Sequence, residues 1–172
     1  FAKTTSNGYP MSAVIGRGHV MDAAQTSFIS STYWTDGIGP AAAIATIRQM
    51  QQTDVPAHVG RIGAYAMEKW TQLGEQQGVP AQASGLPPFA VLGFDHPLQL
   101  TMHTLFTSRM LDRGYLAGNS FYPTLAHTKQ HVNDFIDAAT EVFVELNESI
   151  AKDDLVSRLK TPVRQTGFQR LT

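Results

Sequence analysis

Val59, Ile62, Ala66, Trp70 and Leu73 recur at steps of 3, 4, 4 and 3 between residues 57 and 77. An α-helix returns to one face in that rhythm, so the spacing predicts an amphipathic helix with one buried stripe. Gly78-Val79-Pro80 ends it. A second series, Leu98, Met102, Leu105, Phe106 and Met110, predicts a helix opening at Asp95 or His96 with Pro97 and running to about residue 112. Gly114 follows as its stop. A third, Val132, Phe135, Ile136, Ala139, Phe143, Leu146 and Ile150, predicts the last long helix, with Thr128 as N-cap. Upstream, Gly39-Pro40 opens an alanine-rich helix to about residue 52, since proline is tolerated in a first turn. Residues 53 to 56 break the chain, and a short helical piece is expected near residues 153 to 159.

Elsewhere the period shortens. Phe89 to Phe94 is the clearest strand, and the segment from Ala81 to Pro88 before it reads as a turn-rich connection. Tyr115-Leu116 and Phe121-Tyr122 read as short strands around the Gly118-Asn119 turn. Met11 to Ile15 and Thr26 to Ile29 are further candidate strands. Helices alternating with a few short strands indicate an α/β or α+β architecture.

Composition narrows the classes. Of 172 residues, 42% are hydrophobic and 16% charged, enough apolar content for a core and too little charge for a disordered chain. Net charge is −1 with no long run of one sign, which argues against nucleic acid or an anionic membrane as partner. No apolar run approaches the ~20 residues of a membrane span. The absence of cysteine removes disulfide and thiol chemistry and fits a cytoplasmic protein. The six histidines lie without metal-ligand spacing, so no metal is expected. Asn147-Glu148-Ser149 fits a glycosylation sequon but falls inside an expected helix.

The chemistry-bearing stretch is the first. Phe1-Ala2-Lys3 runs into Ser6-Asn7-Gly8-Tyr9-Pro10, where Asn and Gly tolerate positive φ and Pro10 keeps Tyr9 out of the helical region. Met11 to Arg17 follows, then Val20-Met21-Asp22, Ser30-Ser31-Thr32-Tyr33-Trp34, and Gly39-Pro40-Ala41-Ala42-Ala43. Farther on come Arg113-Gly114-Tyr115-Leu116 and Phe121-Tyr122-Pro123-Thr124-Leu125-Ala126-His127-Thr128. In that order, from Phe1 to about Glu145, the chain resembles the class III, fold-type I pyridoxal-phosphate aminotransferases, on the branch of glutamate-1-semialdehyde 2,1-aminomutase.

The resemblance implies an α/β fold-type I pyridoxal-phosphate-dependent transferase. Residues 1–56 would be the end of the cofactor-binding large domain and residues 57–172 the C-terminal small α+β domain. It implies that Lys3 is the Schiff-base lysine, since a primary amine condenses with the cofactor aldehyde and then shuttles a proton. It implies that Thr32, with Ser31 as a helper, donates to the phosphate of the partner's cofactor, because phosphate supplies only acceptors. The whole protein would then be a homodimer with shared active sites, acting on a small amino or keto substrate. An N-terminal half with the remaining cofactor contacts would precede Phe1, so that this piece alone would be inactive. Aminotransferase, aminomutase, racemase and decarboxylase chemistry stay open. The alternative is a catalytically inactive interaction or dimerisation domain of the same fold. Tyr33 and Trp34 read as interface packing rather than pocket lining, Arg17 as a surface group, and His127 as a structural or capping histidine rather than a base.

Overall fold

The computed structural model describes residues 1–167. The chain divides into two compact units, Phe1–Val55 and Pro56–Thr172.

In the first unit a 3-10 turn, Lys3–Ser6, is followed by the short helix α1 (Gly18–Met21), a second 3-10 turn, Asp22–Thr26, and the long helix α2 (Ile38–Thr53). The two strands expected at 11–15 and 26–29 are not formed. Neither segment has a ladder partner among the described residues, and side chains near the second take the backbone elsewhere. Thr26 Oγ1 and Ser27 Oγ both donate to the Ala23 carbonyl, at 3.0 and 3.1 Å, favouring a tight turn over an extended chain. Helix α2 forms as its small residues predict, with the Ile38 N–H donating to Asp36 Oδ1 at 2.8 Å at its start. Gly39 is required there: a Cβ would lie 2.7 Å from the Pro10 carbonyl oxygen. That close approach seats the loop after Lys3 on the first turn of α2.

Little else in this unit is buried. Only Ser6, Gly39 and Ala43 are fully enclosed among its residues, while Ile15, Phe28, Trp34, Ile44 and Ile47 stand in the open.

The second unit holds a conventional core. Helix α3 (Val55–Gln77) buries Ile62, Ala66, Trp70 and Leu73, four of the five positions of the expected stripe, with Val59 half-buried. Strands β1 (Ala81–Leu86) and β2 (Phe89–Phe94) pair antiparallel from Ala81↔Phe94 to Leu86↔Phe89 around the Pro87-Pro88 turn. The segment expected as a connection is therefore a strand. Its Ala, Ser and Gly residues have weak strand propensity, and pairing with β2 overrides it. Strand β3 (Ser120–Phe121) pairs with the other edge of β2, giving the order β1-β2-β3.

Tyr115-Leu116 forms no strand. The Tyr115 N–H is taken by the Met110 carbonyl at 2.9 Å, at the end of helix α4 (Gln99–Asp112). Helix α5 (Lys129–Ala151) then packs against α4 over the sheet, enclosing Leu92, Phe94, Leu105, Phe106, Val142, Phe143 and Leu146. Gly63 lets α3 approach the hairpin, since a Cβ there would fall 1.7 Å from the Pro87 oxygen. Among the described residues no helix is long and apolar enough to cross a membrane.

His103 gives this core a pH dependence. It is buried on α4 with its ring 4.7 Å from that of Phe94, and its Nδ1 has no partner among the described residues. Burial, with Arg164 adding to it, pushes the imidazole down to about 4. The unfolded chain therefore takes up a proton more readily than the folded one. Stability should be full above about pH 6.5 and fall by up to about 3 kcal/mol as pH drops toward 4. Glu145 is held below its ordinary value by its hydrogen bond to Arg109, so its own contribution is lost only at lower pH. Urea titrations between pH 7 and 4.5 should show a steeper loss in the native protein than in His103→Leu. Parallel curves would exclude His103 as a source.

Candidate functional site

Lys3 opens the first 3-10 turn with φ 59, in the left-handed region. The other non-glycine residues with positive φ are Asn7, Asp54 and Asp153, the types that visit this region most readily. Lysine has no such excuse. The conformation costs it roughly 1–2 kcal/mol, so its surroundings must hold it. They do: the Ala13 N–H donates to the Phe1 carbonyl at 2.7 Å, and the Thr5 N–H to the Ala2 carbonyl at 3.3 Å. Ser6 is fully buried and its hydroxyl donates to the Tyr9 carbonyl. Asn7, itself left-handed, closes the turn with its N–H on the Thr4 carbonyl. The Lys3 side chain is exposed and pairs with no carboxylate among the described residues.

Ser31 and Thr32 lie in an exposed turn ahead of α2. Ser31 Oγ accepts from the Tyr33 N–H at 3.2 Å, which leaves its own proton free to donate, and the Asp36 N–H bonds the Tyr33 carbonyl at 3.1 Å. No hydrogen bond joins Lys3 to either residue among the described residues. The expected arrangement, in which Thr32 serves the partner's site, does not require them to meet within one chain. Tyr33 and Trp34 are both exposed, and Arg17 is an exposed residue flanking α1.

In the second unit His127 is held in place by its own loop and by α3. Its Nδ1 accepts from the Thr124 N–H at 3.0 Å, and its carbonyl oxygen meets His58 Nε2 at 3.0 Å. Burial first, then the neighbouring His131 and His58, holds its imidazole below the ordinary value. Thr128 caps α5 as expected, but its partner is unusual. His131 occupies the position where a capping box normally has Glu or Gln, and its Nδ1 accepts from the Thr128 N–H at 3.2 Å. The Asn147 sequon lies within α5, with Ser149 buried and donating to the Glu145 carbonyl at 2.6 Å.

The lysine in its clamped turn, the hydroxyl turn and the small-residue helix all fall within residues 1–143, the stretch matched by the family profile of class-III aminotransferases. The chain belongs to the class-III aminotransferases. It is 25% identical over 136 residues to 2'-deamino-2'-hydroxyneamine transaminase of Streptomyces kanamyceticus, covering 79% of this chain and 35% of that protein. It is 23% identical over 145 residues to aminopentol aminotransferase of Sphingopyxis macrogoltabida, covering 83% of this chain and 34% of that protein. Its fold superposes on the FumI protein of Sphingopyxis sp. MTA144, solved in its PLP internal aldimine form, with a TM-score of 0.77 at 22% identity. That match covers 87% of this chain and 37% of FumI. This class-III chain thus spans about a third of the length of these proteins, and its α/β fold is that of fold-type I transaminases.

Proposed function

We propose that this chain is the lysine-bearing part of a pyridoxal-phosphate-dependent aminotransferase, with Lys3 as the residue that holds the cofactor. The observation that carries the reading is the left-handed backbone of Lys3 within a clamped turn, with its amine presented free. A strained lysine of this kind is hard to account for as a surface charge and suits a group whose position matters.

The donor set fits pyridoxal phosphate. A primary amine is what an aldehyde requires, and the hydroxyls of Ser31 and Thr32 with nearby exposed N–H groups suit a phosphate that only accepts. Bound there, the cofactor supplies an electron-withdrawing ring that accommodates charge at the substrate's amino-bearing carbon. Lys3 would hold the aldehyde through Nζ and would be the group that moves a proton at the reacting carbon. Thr32, helped by Ser31, would hold the phosphate in the site of a partner subunit.

A second copy of the chain is the partner we infer. Phe28 at 96% exposed and Ile15 and Trp34 at 70% are large apolar side chains left uncovered in the unit that carries Lys3 and Thr32, which supports a covering partner. The substrates are a small amine donor and a keto acceptor. Transfer between two substrates is favoured by the two relatives, both named as transaminating enzymes. Return of the amino group to a neighbouring carbon, the aminomutase variant, is the finer alternative within the same chemistry. The apolar surface also favours a second reading, an inactive interaction domain that keeps the fold and not the cofactor.

Reductive trapping separates these. The intact protein, incubated with pyridoxal phosphate, reduced with borohydride and digested, should yield a phosphopyridoxyl adduct on Lys3. An unmodified Lys3 in folded, intact protein would leave the interaction reading standing and remove the enzymatic one.

A further inference from the structure

The second unit contains a cavity of about 440 Å³ that the chemistry above does not use. This lies within the range of small-molecule sites, roughly 300–1,000 Å³. Three separated stretches of chain line it: Ala66 and Trp70 of α3, residues 115–121 around β3, and residues 126–135 at the start of α5.

Its polar groups are of one kind. The His127 Nδ1 accepts from the Thr124 N–H and the His131 Nδ1 from the Thr128 N–H, so each neutral ring carries its proton on Nε2. Both imidazoles line the cavity as donors, with the Ser120 hydroxyl beside them. Trp70 lines it through its ring, while its indole N–H is itself buried and has no acceptor among the described residues. Among the described residues no carboxylate, lysine or arginine lines the space. The remaining wall is aromatic and aliphatic. Phe121 stands edge-on to both Trp70, at 6.4 Å, and His127, at 5.0 Å, while Phe135 closes another side. The N-terminus of α5, whose dipole favours negative charge, opens at the same place.

We propose that this cavity binds a small monocarboxylate with an apolar body of about the size of a phenyl ring. The two imidazole donors and a helix N-terminus call for an acceptor that carries charge. The aromatic walls call for a body that leaves water. The site is built entirely from the second unit and does not depend on Lys3 or on pyridoxal phosphate.

Calorimetric titration of the intact protein with 3-phenylpropanoate tests it, with 3-phenylpropan-1-ol as the uncharged counterpart. Saturable binding of the acid is expected, tighter than that of the alcohol. Trp70→Phe keeps an aromatic wall and removes only an N–H that does not reach the space, so it should leave the preference for the acid in place. His131→Glu preserves the reach of a capping box, and a carboxylate in the first turn suits the helix dipole, so the fold should be kept or strengthened. The same carboxylate faces the cavity, so this variant should weaken the acid more than about tenfold and spare the alcohol. Three results would overturn the proposal: no saturable binding of the acid, equal binding of acid and alcohol, or acid binding that His131→Glu does not change.

Discussion

Replacement of Lys3 by glycine should lower turnover of the intact protein by at least about 10³-fold, because in the role proposed for it Lys3 is both the covalent anchor and the group that moves the proton. The same change should leave stability within about 1 kcal/mol, since two backbone effects oppose each other. Glycine adopts φ 59 without the Cβ clash that lysine bears, and it gives back part of that gain through a more flexible unfolded chain. Lys3→Ala should be equally inactive but keep the strain, so the pair separates chemistry from backbone. Denaturant midpoints and turnover measured on both variants decide the matter. An active Lys3→Ala enzyme would end the catalytic reading. The inactive variant also tests the shared site: mixing Lys3→Gly with Thr32→Ala subunits should restore part of the activity, because one of the two sites then has a native lysine and a native threonine. Heterodimers that form and stay inactive would remove Thr32 from the partner's site.

What the sequence disclosed follows the physics of each element. The stripes on α3, α4 and α5 were legible because a helix that buries one face must repeat its apolar residues every three or four positions, and Ile62, Met102 and Phe143 lie where that rhythm puts them. Strand β1 was hidden because nothing in Ala81 to Leu86 favours an extended chain; its partner does. The segments at 11–15 and 26–29 misled for the converse reason, being apolar enough for a strand with no ladder to join. At the candidate site the order of motifs singled out Lys3, but nothing in the letters foretold its left-handed backbone, which depends on the Ala13–Phe1 bond and on Gly39 meeting Pro10. The cavity around Trp70 and His131 could not be read at all. Its walls come from positions dozens of residues apart, and the tautomers of its histidines are set by loop N–H groups that only the fold supplies.

Phe106→Ala should destabilise the protein by about 3–5 kcal/mol. The ring is fully buried on α4 and meets three others nearly edge-on, Phe94 and Phe135 at 6.3 Å and Phe143 at 6.0 Å. Truncation removes its transfer free energy and also the edge-to-face terms, each worth roughly 0.5–1.5 kcal/mol. The surroundings are poorly able to close the gap, because the neighbours belong to the sheet on one side and to α5 on the other. Against a typical total of about 5–15 kcal/mol, such a loss brings the folded state close to its limit. Phe106→Leu should cost far less, since it keeps most of the volume. The effect should also reach the cavity: Phe135 forms part of its wall and leans on Phe106 from one side and on Tyr115, at 5.6 Å, from another. Phe106→Leu should therefore loosen binding of 3-phenylpropanoate without abolishing it. A loss of less than about 1 kcal/mol for Phe106→Ala would mean that α4 and α5 can move together to fill the void, and that the cavity is not held rigid by this core.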